Sequence, residues 1–180
     1  MRIAIVGTHP LTWKQAPFSD TSWEIWGCSL KHESTLPRQT AWFEIHRILE
    51  VFGPYQVYTD WLKTLPRLYI MEPGLSAYPN ATRYPREEMI AEFGPYFFTS
   101  TIAWMFGYAI SLKPEAIGIY GVETKTAEEY LHQRPAYHHF TQVARDRGIQ
   151  IVTAPNSTLL IPPGFYGDAV VDPVAYRIGA

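Results

Sequence analysis

A doubly wound, mostly parallel α/β sheet flanked by helices is the architecture this sequence predicts, and three observations predict it. Short apolar runs recur near 2–6, 23–26, 41–46, 68–71, 116–120 and 150–153, each of a length suited to a buried strand. Stretches of helical periodicity lie between several of them, which is the pattern of a parallel sheet covered on its faces. The first run, RIAIV, passes into Gly7-Thr8-His9-Pro10, and a strand followed by Gly and a hydroxyl opens a Rossmann-like unit. Right-handed crossovers then bring the C-terminal ends of all the strands to one edge, where ligands of open α/β sheets bind.

A chain of 180 residues, 47% hydrophobic and 18% charged, is expected to form one globular domain. We place that domain over 1–161 and read 162–180, dense in Pro and Gly, as an extended tail that packs on the domain or reaches a partner subunit. The tail and the aromatic content make a homodimer an expectation. The net charge of −2 carries no polyanion signature, so long nucleic acid is not expected as a partner. Cys28 is the single cysteine, which excludes an internal disulfide and a Cys-rich zinc site and fits a reducing compartment. The most apolar long segment, 97–112, holds Thr, Ser and Gly and stops at Lys113-Pro114, too short and too polar to span a bilayer. No membrane partner is therefore expected, and the placement is cytoplasmic.

In chain order, a short helix is expected after the Gly7 loop, with Thr8 either capping it or donating to a phosphate together with His9. The run 23–26 alternates into Gly27, leaving Cys28-Ser29 just past a strand end. The run 41–46, AWFEIH, puts Glu44 and His46 two apart and so on one face of a strand, which allows a carboxylate-oriented histidine. A helix is expected over 53–65 and a strand over 68–71. Residues 72–86 carry four-fold punctuation by Pro73, Gly74, Pro79 and Pro85 and read as a lid, a binding loop or plain surface. Pro85 then starts a helix with Glu87 and Glu88 in its first turn.

The best-formed unit is 97–135. Thr99, Ser100 and Thr101 are hydroxyls suited to capping a helix start, and Ile102, Met105, Phe106, Ala109 and Ile110 recur at helical spacing. A buried strand over 116–120 ends at Gly121 and is followed by Glu123. The amphipathic stretch 126–148 is interrupted by Pro135, which kinks it or frees a loop bearing His132, Gln133 and Arg134 ahead of a second helix near Ala136. Helix-start hydroxyls suit a phosphate or carboxylate, Glu123 suits a ribose or sugar hydroxyl, and Arg134 suits an anion. His46 and His132 are the candidate general bases. The nucleotide-binding candidates are thus Gly7, Thr8, His9, Ser29, Thr99, Ser100, Thr101, Glu123, Gln133 and Arg134. Adjacent His138 and His139 point about 100° apart on a helix, and no H-E-x-x-H is present, so no metal site is assigned. The sequence also lacks G-x-G-x-x-G, a P-loop and G-x-S-x-G, which argues against a classical dinucleotide, ATPase or serine-hydrolase site. No cofactor is assigned.

The first-strand loop GTHP and the Thr99-Ser100-Thr101 … Gly121-Val122-Glu123 pair resemble two groups of Rossmann-type enzymes. These are the MptE-like 6-hydroxymethylpterin diphosphokinases and the bacterial sialyltransferases that use CMP-sialic acid. This chain differs in having GTHP for Gly-x-Gly-Pro-Ser, Cys28-Ser29 where an Asn is usual, and Glu123 for Asp. The wider pattern WEIWG … WFEIH … TSTIAWM … IGIYGVE … EEYLHQRP looks like uncharacterised proteins of tailed phages and prophages, which would place the protein in host cytoplasm. The resemblance implies a small nucleotide or nucleotide-sugar ligand. It implies either a transferase moving a glycosyl or diphosphoryl group, or a non-catalytic binder that sequesters a signalling nucleotide. A virion or protein-interaction module is a further alternative.

Overall fold

The computed structural model describes residues 1–28, 36–46, 56–71 and 74–161. Within these residues seven strands form a single sheet: β1 (Arg2–Val6), β2 (Trp23–Cys28), β3 (Ala41–Glu44), β4 (Leu68–Ile70), β5 (Ala81–Arg83), β6 (Ala116–Tyr120) and β7 (Gln150–Thr153). Their order is β5-β4-β3-β2-β1-β6-β7, and every pairing is parallel. Central β1 is paired on both sides, with Arg2 opposite Trp23 of β2 and Ala116 of β6. Strand order reverses between β1 and β6, so a crevice opens at their C-terminal ends.

Period-two alternation divides the strands between two cores. Ile3, Ile5, Trp26, Phe43 and Tyr69 point to one face, where they meet α2 (Arg86–Phe93), α3 (Thr101–Ser111) and α4 (Arg134–Asp146). Ala4, Val6 and Ile25 point to the other, beneath Trp13 and Phe18, while Trp42, Leu68 and Ile70 meet Tyr58 and Leu62 of α1 (Gln56–Lys63). Seven residues of α3 are buried, five of them Ile102, Met105, Phe106, Ala109 and Ile110. At about 1.5–3 kcal/mol for each large side chain, that face anchors the helix far more strongly than its intrinsic propensity. No described helix is long and apolar enough to cross a membrane.

Four differences from expectation have local causes. β2 runs on through Gly27 to Cys28, because Gly27 lets the Trp42 ring approach: a Cβ there would lie 2.3 Å from that ring. β3 stops at Glu44, leaving Ile45 and His46 just past its end. The segment read as irregular contains a 3₁₀ turn (Gly74–Ala77) and the short edge strand β5, whose Ala-Thr-Arg sequence has no apolar signature. The short helix expected after Gly7 is a 3₁₀ turn, Trp13–Gln15, which Thr8 does not cap. The N-terminal part of the helix expected over 53–65, and the whole tail from 162, lie outside the described residues.

Candidate functional site

The ends of β1 and β6 are drawn together by two glycines. Gly7 N–H donates to the Tyr120 carbonyl at 2.8 Å, and His9 N–H donates to the Gly121 carbonyl at 2.9 Å. Thr12 Oγ1 accepts from Gly121 N–H at 3.1 Å, so its hydroxyl ties the β1 loop to the β6 loop. A Cβ on Gly7 would lie 2.4 Å from the Gly121 carbonyl oxygen, closer than any real Cβ contact.

Above this crossing lies a cavity of about 570 Å³. Gly7, Thr8 and His9 form one wall, Thr99 to Ile102 a second, Gly121 to Thr126 a third, and His46, Gln133 and Tyr137 close it. Nine of the twelve sequence-derived candidates therefore share one cavity: Gly7, Thr8, His9, His46, Thr99, Ser100, Thr101, Glu123 and Gln133. Ser29 lies outside the described residues. His132 is exposed and Arg134 is buried, and neither lines the cavity.

The start of α3 is capped by Ser100, whose Oγ accepts from Ala103 N–H at 3.2 Å. The same Oγ lies 2.9 Å from Tyr137 Oη, and Tyr137 donates to Gln133 Oε1 at 3.1 Å. Burial pushes the Tyr137 phenol above its ordinary range, so it acts as a neutral hydrogen-bonding group. This network ties the helix start to the opposite wall.

Glu123 is 7% exposed. Its Oε2 accepts from Thr158 N–H at 3.0 Å and Thr158 Oγ1 at 2.9 Å, whereas buried Oε1 has no hydrogen-bond partner among the described residues. The Nδ1 of His9 is likewise buried and unpartnered. Unsatisfied buried polar atoms are costly, and both belong to residues that line the cavity. A ligand hydroxyl or amino group is the kind of donor that carboxylate oxygen calls for.

His46 stands at the rim with its Nδ1 2.7 Å from Glu44 Oε1. Glu44 itself is fully buried, and its Oε2 accepts from Tyr58 Oη at 2.6 Å. Tyr58 in turn accepts from Trp42 Nε1 at 3.1 Å. The hydrogen bond to Glu44 raises the His46 pKa above its usual value, with the carboxylate's charge adding to it and burial working against it. The expected carboxylate-oriented histidine is thus formed, and Tyr58 and Trp42 extend it into the core. Cys28 also lines the cavity, but burial and then the Glu44 charge push its thiol up to about 12, so it is no thiolate nucleophile.

Arg134 needs correcting as an anion ligand. Its guanidinium donates to the carbonyls of Thr158 at 3.0 Å and Ile161 at 2.7 Å and to Thr124 Oγ1 at 3.3 Å, and it packs over the Tyr130 ring. It staples the segment after β7 to the cavity wall. We expect Arg134→Met to lower unfolding free energy by about 2–4 kcal/mol, since buried carbonyls lose a charged donor, with a smaller effect on ligand affinity. Urea denaturation and nucleotide titration of one sample separate the two.

The cavity also takes in Cys28 and Glu129, from stretches the sequence places at this edge, and Thr124, Lys125, Thr126 and Tyr137, which were not among the candidates. One signal for them was present. Thr126-x-x-Glu129 is a capping box: Thr126 Oγ1 accepts from Glu129 N–H at 3.2 Å, and Glu129 Oε2 accepts from Thr126 and Lys125 N–H, each at 3.1 Å. It starts a segment that continues as a π-turn, Glu129–Gln133, into α4.

No protein-family model matches the chain, and no curated protein matches it in sequence. Solved structures do match in fold. Sialyltransferase CstII from Campylobacter jejuni, in complex with cytidine-5′-monophosphate, superposes with a TM-score of 0.62 at 14% identity, over 88% of this chain and 82% of that one. A CstII complex with a trisaccharide acceptor and CMP gives 0.60 at 14% identity, covering 88% and 83%. An α-2,3-sialyltransferase from Campylobacter jejuni in apo form gives 0.59 at 14%, covering 88% and 77%. The likeness to sialyltransferases read from the sequence holds at the level of the fold.

Proposed function

We propose that this chain is a glycosyltransferase that takes its sugar from a nucleotide donor seated in the cavity between β1 and β6. The observation that carries the reading is the Glu44–His46 pair at the rim of that switch-point cavity. A cavity with an oriented histidine, a capped helix start and a buried carboxylate with one unpartnered oxygen offers groups that such a transfer uses. The Thr8 hydroxyl and the start of α3 receive the phosphate. Glu123 Oε1 accepts from a ribose or sugar hydroxyl, and His9 Nδ1 pairs with a further polar group of the donor.

With Nδ1–H donated to Glu44, proton exchange with a substrate belongs to His46 Nε2. Nε2 takes the proton of the acceptor hydroxyl as its oxygen bonds to the anomeric carbon. The bond from that carbon to the phosphate oxygen breaks, and the nucleotide leaves with the electron pair. Catalysis then rests on orientation and proton transfer, terms worth several powers of ten each.

The test is incubation of the purified chain with CMP-, UDP- and GDP-sugars and the free nucleotides, read by melting shift and by mass spectrometry. A saturating donor is expected to raise Tm by about 5–10 °C, the size of the mass-action effect near a hundredfold excess over Kd. A nucleotide product released together with a glycosylated acceptor supports the reading. Recovery of intact nucleotide after denaturation, with no product from any donor, overturns it in favour of the capture role that the phage-type pattern brings. Transfer of a diphosphoryl group in place of a sugar overturns it in favour of the pterin-kinase resemblance.

A further inference from the structure

Sugar transfer creates a charge that the groups assigned so far do not meet. His46 takes up the acceptor's proton, but the nucleotide departs with the electron pair of the broken bond, so its phosphate gains one unit of negative charge. The Thr8 hydroxyl and the N–H groups at the start of α3 are neutral donors. Among the described residues that line the cavity, Lys125 is the one lysine or arginine.

Lys125 lies two residues after Glu123, on the loop that leaves β6. Its backbone N–H donates to Glu129 Oε2 at 3.1 Å, and Thr126 N–H donates to the same oxygen. The capping box at the start of the next helical segment therefore also fixes where the lysine stem begins. The ammonium is far less committed than its backbone. It is exposed, and among the described residues Nζ has one partner, Thr158 Oγ1 at 3.4 Å, longer than an ordinary N–H···O hydrogen bond. Thr158 Oγ1 donates its own proton to Glu123 Oε2 at 2.9 Å, so toward Lys125 it acts only as an acceptor. Lys125 makes no ion pair among the described residues. The two carboxylates in the same lining are engaged elsewhere, Glu123 by Thr158 and Glu129 by two backbone N–H groups. An ammonium on an anchored, flexible stem, with most of its donor capacity unused, suits a phosphate oxygen.

We propose, resting on the transferase reading above, that Lys125 is a catalytic residue on the leaving-group side. Its ammonium leaves Thr158 for a phosphate oxygen of the donor and holds the phosphate as the bond to the anomeric carbon breaks. The electron pair of that bond stays on the phosphate oxygen, Lys125 neither gains nor loses a proton, and the acceptor's proton stays on His46. Because the phosphate charge grows during the step, the contact is stronger in the transition state than with the intact donor.

The test titrates AMP, CMP, GMP and UMP, and their parent nucleosides, calorimetrically into the full-length wild-type, Lys125→Gln and Lys125→Arg proteins. Lys125 is exposed, so all three are expected to melt at the same temperature. Lys125→Gln is expected to weaken the best-bound monophosphate by at least about tenfold, with its nucleoside unchanged, and Lys125→Arg to keep most of the affinity. Equal losses for monophosphate and nucleoside, or no loss for the monophosphate, overturn the assignment. So does a wild-type protein that binds no monophosphate more tightly than its nucleoside.

Turnover of CMP-, UDP- and GDP-sugars by the same proteins separates this assignment from the reading beneath it. Lys125-dependent binding of a monophosphate without transfer from any donor leaves Lys125 as a phosphate ligand and removes the transferase. Transfer at an undiminished kcat in Lys125→Gln keeps the transferase and removes Lys125 from its chemistry. With both in place, kcat is expected to fall at least about tenfold in Lys125→Gln while KM for the donor changes less, a split that a merely structural lysine does not produce.

Discussion

His46→Ala is expected to lower the rate of sugar transfer by about 10²–10⁴-fold, the contribution of a positioned general base, while nucleotide affinity changes little. The pH profile carries the sharper signature. His46 must be neutral to accept a proton, and its pKa is raised by the Glu44 hydrogen bond. The rate therefore climbs with pH through a value above that of an ordinary histidine. Glu44→Gln removes the charge and is expected to move this acid limb to lower pH while reducing the maximal rate, because an amide presents its N–H₂ or its oxygen to Nδ1 without enforcing one tautomer. Stability runs the other way. A histidine whose folded pKa is raised stabilises the fold fully below its unfolded pKa, and that contribution fades as pH rises through the folded value. Rate and stability thus have opposite slopes in the same window. An unshifted limb in Glu44→Gln, measured by initial rates from pH 5 to 9, would sink the assignment.

Gly121→Ala is expected to be the most damaging single-methyl change at the site. Gly121 sits at φ +65°, and a Cβ there would meet the Gly7 carbonyl oxygen at 2.5 Å and Trp13 Cβ at 2.7 Å. The left-handed conformation alone costs about 1–2 kcal/mol for alanine; with the β1 and β6 loops forced apart, we expect about 2–4 kcal/mol in all and at least a tenfold loss of nucleotide affinity. Gly148→Ala is the built-in comparison. Gly148 also has positive φ, +75°, but nothing lies within 4 Å of its Cβ position. Only the conformational part remains there, with affinity intact. Chemical denaturation and ligand titration of both variants decide the matter, and equal effects at the two glycines would show that the close approach of the loops is not what shapes the cavity.

Much of this architecture was legible before any coordinates. Six strands, their alternation with helices and the meeting of Gly7–His9, His46, Thr99–Thr101 and Glu123 at one edge follow from apolar periodicity and from the handedness of crossovers. Glu44 and His46 were readable because two residues on one strand face must be neighbours. What escaped had physical reasons. β5 is three residues long and largely exposed, so no pattern marks it. Gly27 looks like a stop but serves a close approach by Trp42. His132 and Arg134 sit at a π-turn, which shifts the helical phase so that Gln133 lines the cavity, while Arg134 reaches toward Thr158 and Ile161. Pro135 falls in the first turn of α4, where its missing N–H does no harm.

The central place of β1 also has a bearing on how the chain reaches its native state. β1 is made first during synthesis, yet one of its two partners, β6, begins at Ala116. Until that strand is synthesised, the nascent sheet carries β1 as a bare edge of alternating isoleucine and alanine, open to pairing with other chains. Long-range parallel pairing of this kind is slow to nucleate. Folding of the first half on its own is therefore expected to leave an adhesive edge on β1, which pairing with β6 covers.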